Sequence, residues 1–221
     1  LKVRNVAITK SFGAHAASRR LYPRAGGAIL GVEGRRMNLS GKLLIAMPGM
    51  GDPRFERSVV FLCAHSEDGA MGLIVNKPAP DLTFGQLLQK LGIPVPDDPS
   101  RAIRVHLGGP VEHVRGFVLH SADYGGAGAT LQIDDRFGMT ATLDILQAIA
   151  RGEGPQSSLL ALGYAGWGPG QLESEILRNG WLTCDASPDI VFSERNDMKW
   201  TRALGTLGVD PTSLSGAAGR A

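Results

Sequence analysis

Cysteine is scarce in this chain. Only Cys63 and Cys184 occur, each inside an apolar stretch, so there is no disulfide framework and the usage suits a reducing compartment. Long hydrophobic runs are missing too. No apolar segment approaches the roughly 18 residues a helical membrane span needs, so no membrane partner is expected and the body reads as cytoplasmic. Metal-ligand spacing is also lacking: His65, His106, His113 and His120 form no HxH pair, and the two cysteines form no CxxC pair. Neither a metal nor a cofactor is expected.

What is present is an uneven distribution of charge. The formal net charge of +2 conceals a segment, residues 1–36, with eight basic groups and the single acid Glu33, about +7, followed by a body near −5. That segment has little apolar periodicity and is expected to be disordered. An upstream extension ahead of an initiating Met37 is the preferred reading, against a targeting segment or a basic arm for anionic surfaces. The whole chain is 43% apolar, enough to bury a substantial core, and residues 37–221 read as one domain.

Along that domain, Leu43-Leu44-Ile45-Ala46-Met47 is a buried strand stopped by Pro48 and Gly49. Runs at 59–63 and 71–75 flank Ser66-Glu67-Asp68-Gly69, a hairpin signal. Thr83 and Gln86 form a capping box for a first helix, and Gly92 with Pro94 ends it. Residues 94–100 form a Pro/Asp-rich loop. Short strands at 104–107 and 117–120 flank Gly108-Gly109-Pro110. Residues 124–128 are a glycine loop before a strand at 131–133. A second helix runs from Thr142 to Arg151 before Gly152.

A strand at 159–162 leads into the glycine loop Gly163-Tyr164-Ala165-Gly166-Trp167-Gly168-Pro169-Gly170. Pro169 opens a third helix that ends at Asn179-Gly180. Strands at 181–183 and 190–192 precede a last helix capped by Asp197. About four helices isolated between groups of strands predict an α+β fold with largely antiparallel or mixed sheets.

Several short motifs fail their context. Gly49-Met50-Gly51 has Arg54 where a dinucleotide loop needs its third glycine, and Ser40-Gly41-Lys42 lacks the rest of a phosphate loop. There is no Gly-x-Ser-x-Gly elbow. Cys63 and His65 share strand parity with Val59 and Phe61, a face better explained as core. No two predicted helices are sequence neighbours, and the body is acidic, so direct sequence-specific DNA binding is not expected.

Two sets of residues remain as binding candidates. The first is the glycine loop with Tyr164, Gly166, Trp167, Gly168 and Gln171, where an aromatic ring is free to stack on a partner or to pack on the sheet. The second comprises Asn76 and Lys77 with the Gly108-Gly109 turn. An enzyme or small-molecule site would need Asn76, Lys77, Glu112 and His113 to converge.

Across residues 37–221 the chain resembles the bacterial AlgH/YqgE family. The resemblance is carried by Leu43-Leu44-Ile45-Ala46-Met47-Pro48, Phe55-Glu56-Arg57-Ser58-Val59 and Gly72-Leu73-Ile74-Val75-Asn76-Lys77-Pro78. It continues through Gly108-Gly109-Pro110-Val111, the glycine loop up to Glu173, and Glu175, Asn179 and Trp181. It implies a cytoplasmic α+β protein of coiled sheets, and the family name carries a transcriptional-regulator label. It implies no catalytic residues. With no convergent reactive set in the sequence, the expectation is a non-catalytic regulatory or interaction protein with a protein partner, a small-molecule ligand being the alternative.

Overall fold

The computed structural model describes residues 38–95, 103–125 and 130–214. The basic segment 1–36, the proposed start at Met37, and most of the 94–100 and 124–128 loops lie outside them. Among the described residues nine strands occur: β1 (Lys42–Ala46), β2 (Val59–Ser66), β3 (Gly69–Ile74), β4 (Val105–Leu107), β5 (Val111–Ser121), β6 (Thr130–Gln132), β7 (Phe137–Thr140), β8 (Ser158–Trp167) and β9 (Trp181–Asp185). Among the same residues five helices accompany them: α1 (Phe84–Lys90), α2 (Leu143–Arg151), α3 (Gln171–Leu177), α4 (Pro188–Val191) and α5 (Asn196–Thr206). The strands run in the order β6-β7-β5-β8-β3-β2-β1-β9, and β4 lies beside β8. All pairings are antiparallel except β4 with β8. The fold is α+β, as expected, with one more helix among the described residues than the sequence pattern suggested.

The element that organises this sheet is β8. Its first half, Ser158–Leu162, pairs with β4 and β5, whereas its second half, Ala165–Trp167, pairs with β3. Between them Gly163 adopts φ +72, and the strand passes from one half of the sheet to the other. This glycine-rich stretch is therefore a strand up to Trp167, not the loop that its composition suggests. Its glycines serve close backbone crossings. A Cβ on Gly163 would stand 2.7 Å from both the Gly109 and the Val111 carbonyl oxygens, and one on Gly109 would stand 2.1 Å from the Tyr164 carbonyl carbon. The Gly108-Gly109 turn and the 163–165 backbone thus occupy space that side chains would fill.

Folding the sheet about β8 encloses three apolar layers. Alternating residues of β1–β3 (Leu43, Phe61, Leu73) meet those of β5, β7 and β8 (Phe117, Phe137, Ala161) in a central core. Rings from the two halves touch there, with Phe61 and Phe137 centroids 4.8 Å apart. The outer face of β4, β5 and β8 is covered by α1 and α2 through Leu87, Leu88, Ile145 and Ile149. The outer face of β1–β3 is covered by Leu172 of α3 with Trp167 and Trp181.

Local signals place several boundaries. The Thr83–Gln86 capping box is complete, Gly152 ends α2 in the left-handed conformation, and β2 and β3 form the expected hairpin. Other expectations change. Residues 190–192 are not a strand: Pro188 starts the single helical turn α4 and its buried Ile190 and Val191 face the core. So short an apolar run fits either element. Pro169 lies before α3, whose N-cap is Gly170 at φ +70. Arg195, not Asp197, holds the cap position of α5. A register shift between Leu62 and Ala64 separates Cys63 from His65. Cys63 joins the central core, while His65 accepts from the Leu39 amide and bonds Glu173 on the α3 side.

The neighbouring pair α4 and α5 also corrects the expectation that no helices follow one another. Both are packed into the core through Ile190, Val191, Trp200, Ala203 and Leu204. A buried lysine ties them to the sheet. Lys199 Nζ donates to the Val75 carbonyl at 2.7 Å and to the Val191 carbonyl at 2.8 Å. Burial and the nearby Arg104 lower its pKa to about 7.

Two predictions follow from these contacts. Gly163→Ala should lower unfolding free energy by about 2–4 kcal/mol, measured by denaturant titration, because strain and a backbone clash coincide. Unfolded lysine holds its proton to a pKa of about 10.4, so the unfolded chain binds more protons than the folded one between the two values. Stability at this site therefore rises with pH from about 7 to 10. Comparing Lys199→Met with the unsubstituted protein at several pH values should show that rise disappear in the variant, Arg104 and His106 being the other basic groups beside it.

Candidate functional site

Strand β8 delivers Trp167 and β9 delivers Trp181 to the same place, where Phe55 of the Pro53–Phe55 turn completes an aromatic cluster. Phe55 meets the Trp181 ring edge-on at 5.4 Å between centroids, and the two indoles meet edge-on at 5.9 Å. Glu175 of α3 holds the cluster. Its Oε2 accepts from both indoles, Trp167 at 2.9 Å and Trp181 at 2.8 Å. Its Oε1 accepts from Gln171 Nε2 at 2.9 Å, and Gln171 Oε1 accepts from the Gly168 amide at 3.0 Å. One carboxylate therefore satisfies two buried indole donors and locks the first turn of α3, with charge-assisted bonds that are stronger than neutral ones.

Beside this cluster lies a groove of about 510 Å³. The loop from Met47 to Asp52 forms one wall, α3 with Arg178 the other, and Trp167, Gly166, Pro110 and Val111 the floor. A second cavity, of about 580 Å³, opens on the opposite side of the same loop, towards Arg57 and Trp200. The Met47–Asp52 loop is thus shared by both.

The predicted residues divide between the groove and its supports. Gly166, Trp167 and Gln171 line the groove, although Trp167 is only 6% exposed. Gly168 is bonded to Gln171 at its rim. Tyr164 leaves the other side of β8 and packs edge-on against Phe117; burial first, and then Glu112, raise its pKa. Gly108 and Gly109 take part in the backbone crossing.

Asn76 and Lys77 brace the loop that carries Phe55. Asn76 Oδ1 accepts from the Val59 amide and its Nδ2 donates to the Arg57 carbonyl, each at 2.8 Å, while Lys77 Nζ donates to the Arg54 carbonyl at 2.7 Å. Burial lowers the Lys77 pKa, opposed by Glu56 and Asp52. Glu112 pairs with Arg115 at 3.2 Å, three residues along its own strand. Neither cavity is lined by Asn76, Lys77, Glu112 or His113.

Sequence reading missed Phe55, Arg178 and the bonding role of Glu175. The Gln171–Glu175 spacing of one helical turn was the available signal. The meeting of the indoles from β8 and β9 has no local counterpart.

Residues 43–212 match the family model described as AlgH-like. The chain belongs to this family. It is 64% identical over 185 residues to a UPF0301 protein of Ruegeria pomeroyi and 61% identical over 185 residues to one of Cereibacter sphaeroides, covering 84% of this chain and 100% of the relative in each case. The solution structure of AlgH from Pseudomonas aeruginosa is 41% identical, with a TM-score of 0.68, and is covered along its whole length by 86% of this chain. A Corynebacterium diphtheriae crystal structure at 22% identity and TM-score 0.63, covering 82% of this chain and 92% of that one, shares the fold.

The carboxylate clamp makes a direct prediction. Glu175→Leu leaves two buried indole N–H groups unpaired and should cost about 2–4 kcal/mol, with red-shifted tryptophan emission. Glu175→Gln should cost less in the same denaturation measurement, because its remaining oxygen can still face the indoles.

Proposed function

We propose that this AlgH-like protein works by binding and not by catalysis, as a regulatory or interaction protein that captures a segment of a partner protein in the groove between the Met47–Asp52 loop and α3. The observation that carries this reading is the way the polar groups of the groove are engaged. Glu175 and Gln171 are committed to the indoles and to the Gly168 amide. Asp52 is paired with Arg54 at 2.7 Å, and that pairing lowers its pKa. Such groups shape a surface, but they are not held ready as an acid, a base or a nucleophile. The loop wall contributes apolar Met47, Pro48 and Met50, and the floor adds Pro110 and Val111, a lining suited to apolar side chains of an extended peptide.

The regulator label of the family fits this reading through protein contact. The body is acidic, and the consecutive helices α4 and α5 turn their apolar faces into the core; the exposed face of α5 includes Asp197 and carries a single arginine, Arg202, which donates to the Asp189 carbonyl. That surface offers little to a DNA groove. A cytoplasmic setting belongs to the same reading and is supported by the two free, buried cysteines.

Site-specific photo-crosslinking tests the proposal. A photoreactive residue at Met50 should give one dominant protein adduct in cells, and Arg178→Glu should reduce its yield while leaving melting temperature nearly unchanged, as expected of an exposed substitution. The same label at Leu177, 84% exposed on α3, should give none. Equal labelling from both positions would remove the groove from consideration.

A further inference from the structure

A third cavity, of about 340 Å³, shares no lining residue with the groove and lies between β4, the start of β8 and the α4–α5 turn. Its lining gathers Arg104, His106 and Lys199 with the hydroxyl-bearing Ser157, Ser158 and Ser193. These basic groups come from two separate places, β4 with the residue before it and α5. Lys199 is 1% exposed and His106 is 1% exposed, yet the lysine is held by two carbonyl oxygens and no carboxylate. Two of its three N–H donors are thereby engaged, which leaves one.

The acid at this cavity is Glu194. Its carboxylate is 83% exposed and meets Arg104, itself half-exposed, at 3.3 Å near the cavity mouth. The interior positive charge is therefore without an interior counterpart among the described residues. A buried ammonium in such surroundings is costly unless an anion approaches it.

A second observation concerns Asn196, at the start of α5 and 8% exposed, which stands behind the lining and bears on it through His106. Its amide meets His106 Nε2 at 3.1 Å through one end, while the buried Nδ2 has no partner. His106 Nδ1 lies 3.3 Å from the Arg104 carbonyl, an arrangement that needs the proton on Nδ1. In neutral His106, Nε2 is then an acceptor and should face the amide nitrogen of Asn196, so turning the amide over leaves its oxygen unpaired instead. A protonated His106 would donate from Nε2 to the amide oxygen as it stands. Burial keeps His106 neutral, with its pKa lowered to about 4, and Lys199 and Arg104 add to the shift.

We propose that this cavity binds a small oxyanion, the phosphate or carboxylate group of a metabolite, with Lys199 and Arg104 as its charged contacts and Ser157 and Ser158 as hydroxyl donors. The anion supplies the negative charge that the interior lacks. It also favours the protonated forms of Lys199 and His106, so binding takes up protons. Because Lys199 loses its proton above about pH 7, affinity falls as pH rises from 7 to 9. The charged and titratable neighbours that bear on this are His106 from β4, Arg104 just before it and Glu194 from the α4–α5 turn.

Calorimetric titration of the full chain with inorganic phosphate and with succinate, against sodium chloride at matched ionic strength, tests this. Saturable one-site binding of at least one of the two anions is expected, with chloride without effect. Arg104→Ala, at an exposed side chain, should weaken it about tenfold, in the range of one charge-assisted contact. Arg178→Ala, in the groove, should leave it unchanged. Succinate, fully ionised throughout, should bind more weakly at pH 9 than at pH 7. Absence of saturable binding by either anion, equal binding by Arg104→Ala, or an affinity indifferent to pH over that range would overturn the proposal.

Discussion

The close passage of backbone against backbone at Gly163 and Gly108-Gly109 is the constraint on which the rest of this structure depends. A strand that belongs to two halves of a sheet must change direction without losing its hydrogen bonds, and a left-handed glycine does this with least steric cost. Because β8 continues through the bend, Leu160 and Leu162 reach one outer layer, Trp167 reaches the other, and Tyr164 reaches the core between them. Placement of the groove follows directly. Its floor is the far end of β8, and Pro110 and Val111 reach it because their chain crosses that strand.

Rigidity at the groove comes from a small number of polar contacts in apolar surroundings. Glu175 accepts three hydrogen bonds that would otherwise be missing from two indoles and an amide side chain. On the other side, Asn76 and Lys77 fasten the 54–59 segment through its main chain, and Arg57 lies 4.8 Å over the Trp200 ring. The wall between these supports is the Met47–Asp52 loop. Recognition sites are commonly built in this way, with a loop presented by a rigid scaffold.

What the chain reveals locally, and what it does not, follows from the range of the interactions. The Thr83–Gln86 box, the turn before Gly69 and the stop at Gly152 are decided within four residues, so pattern reading finds them. The stretch Gly163–Trp167 is a strand only because β3, β4 and β5 surround β8; taken alone, its glycines signal a loop. Ile190 and Val191 form one helical turn because Pro188 and the core fix them, although two β-branched residues favour a strand. For the site, Gly166, Trp167 and Gln171 were visible as an unusual cluster, but their partner Phe55 lies over a hundred residues away in sequence, and Trp181 returns to them only through the pairing of β9. Lys199 carries no local signal in the sequence, and only the fold shows that it is enclosed.

If β8 truly joins the two halves into one cooperative body, native-state hydrogen exchange will show it. The amides of Leu160 and Leu162 on one side of Gly163 and of Ala165 and Trp167 on the other should open with the same free energy, equal to that of global unfolding. Two separate exchange energies, one for each half of the strand, would contradict this account.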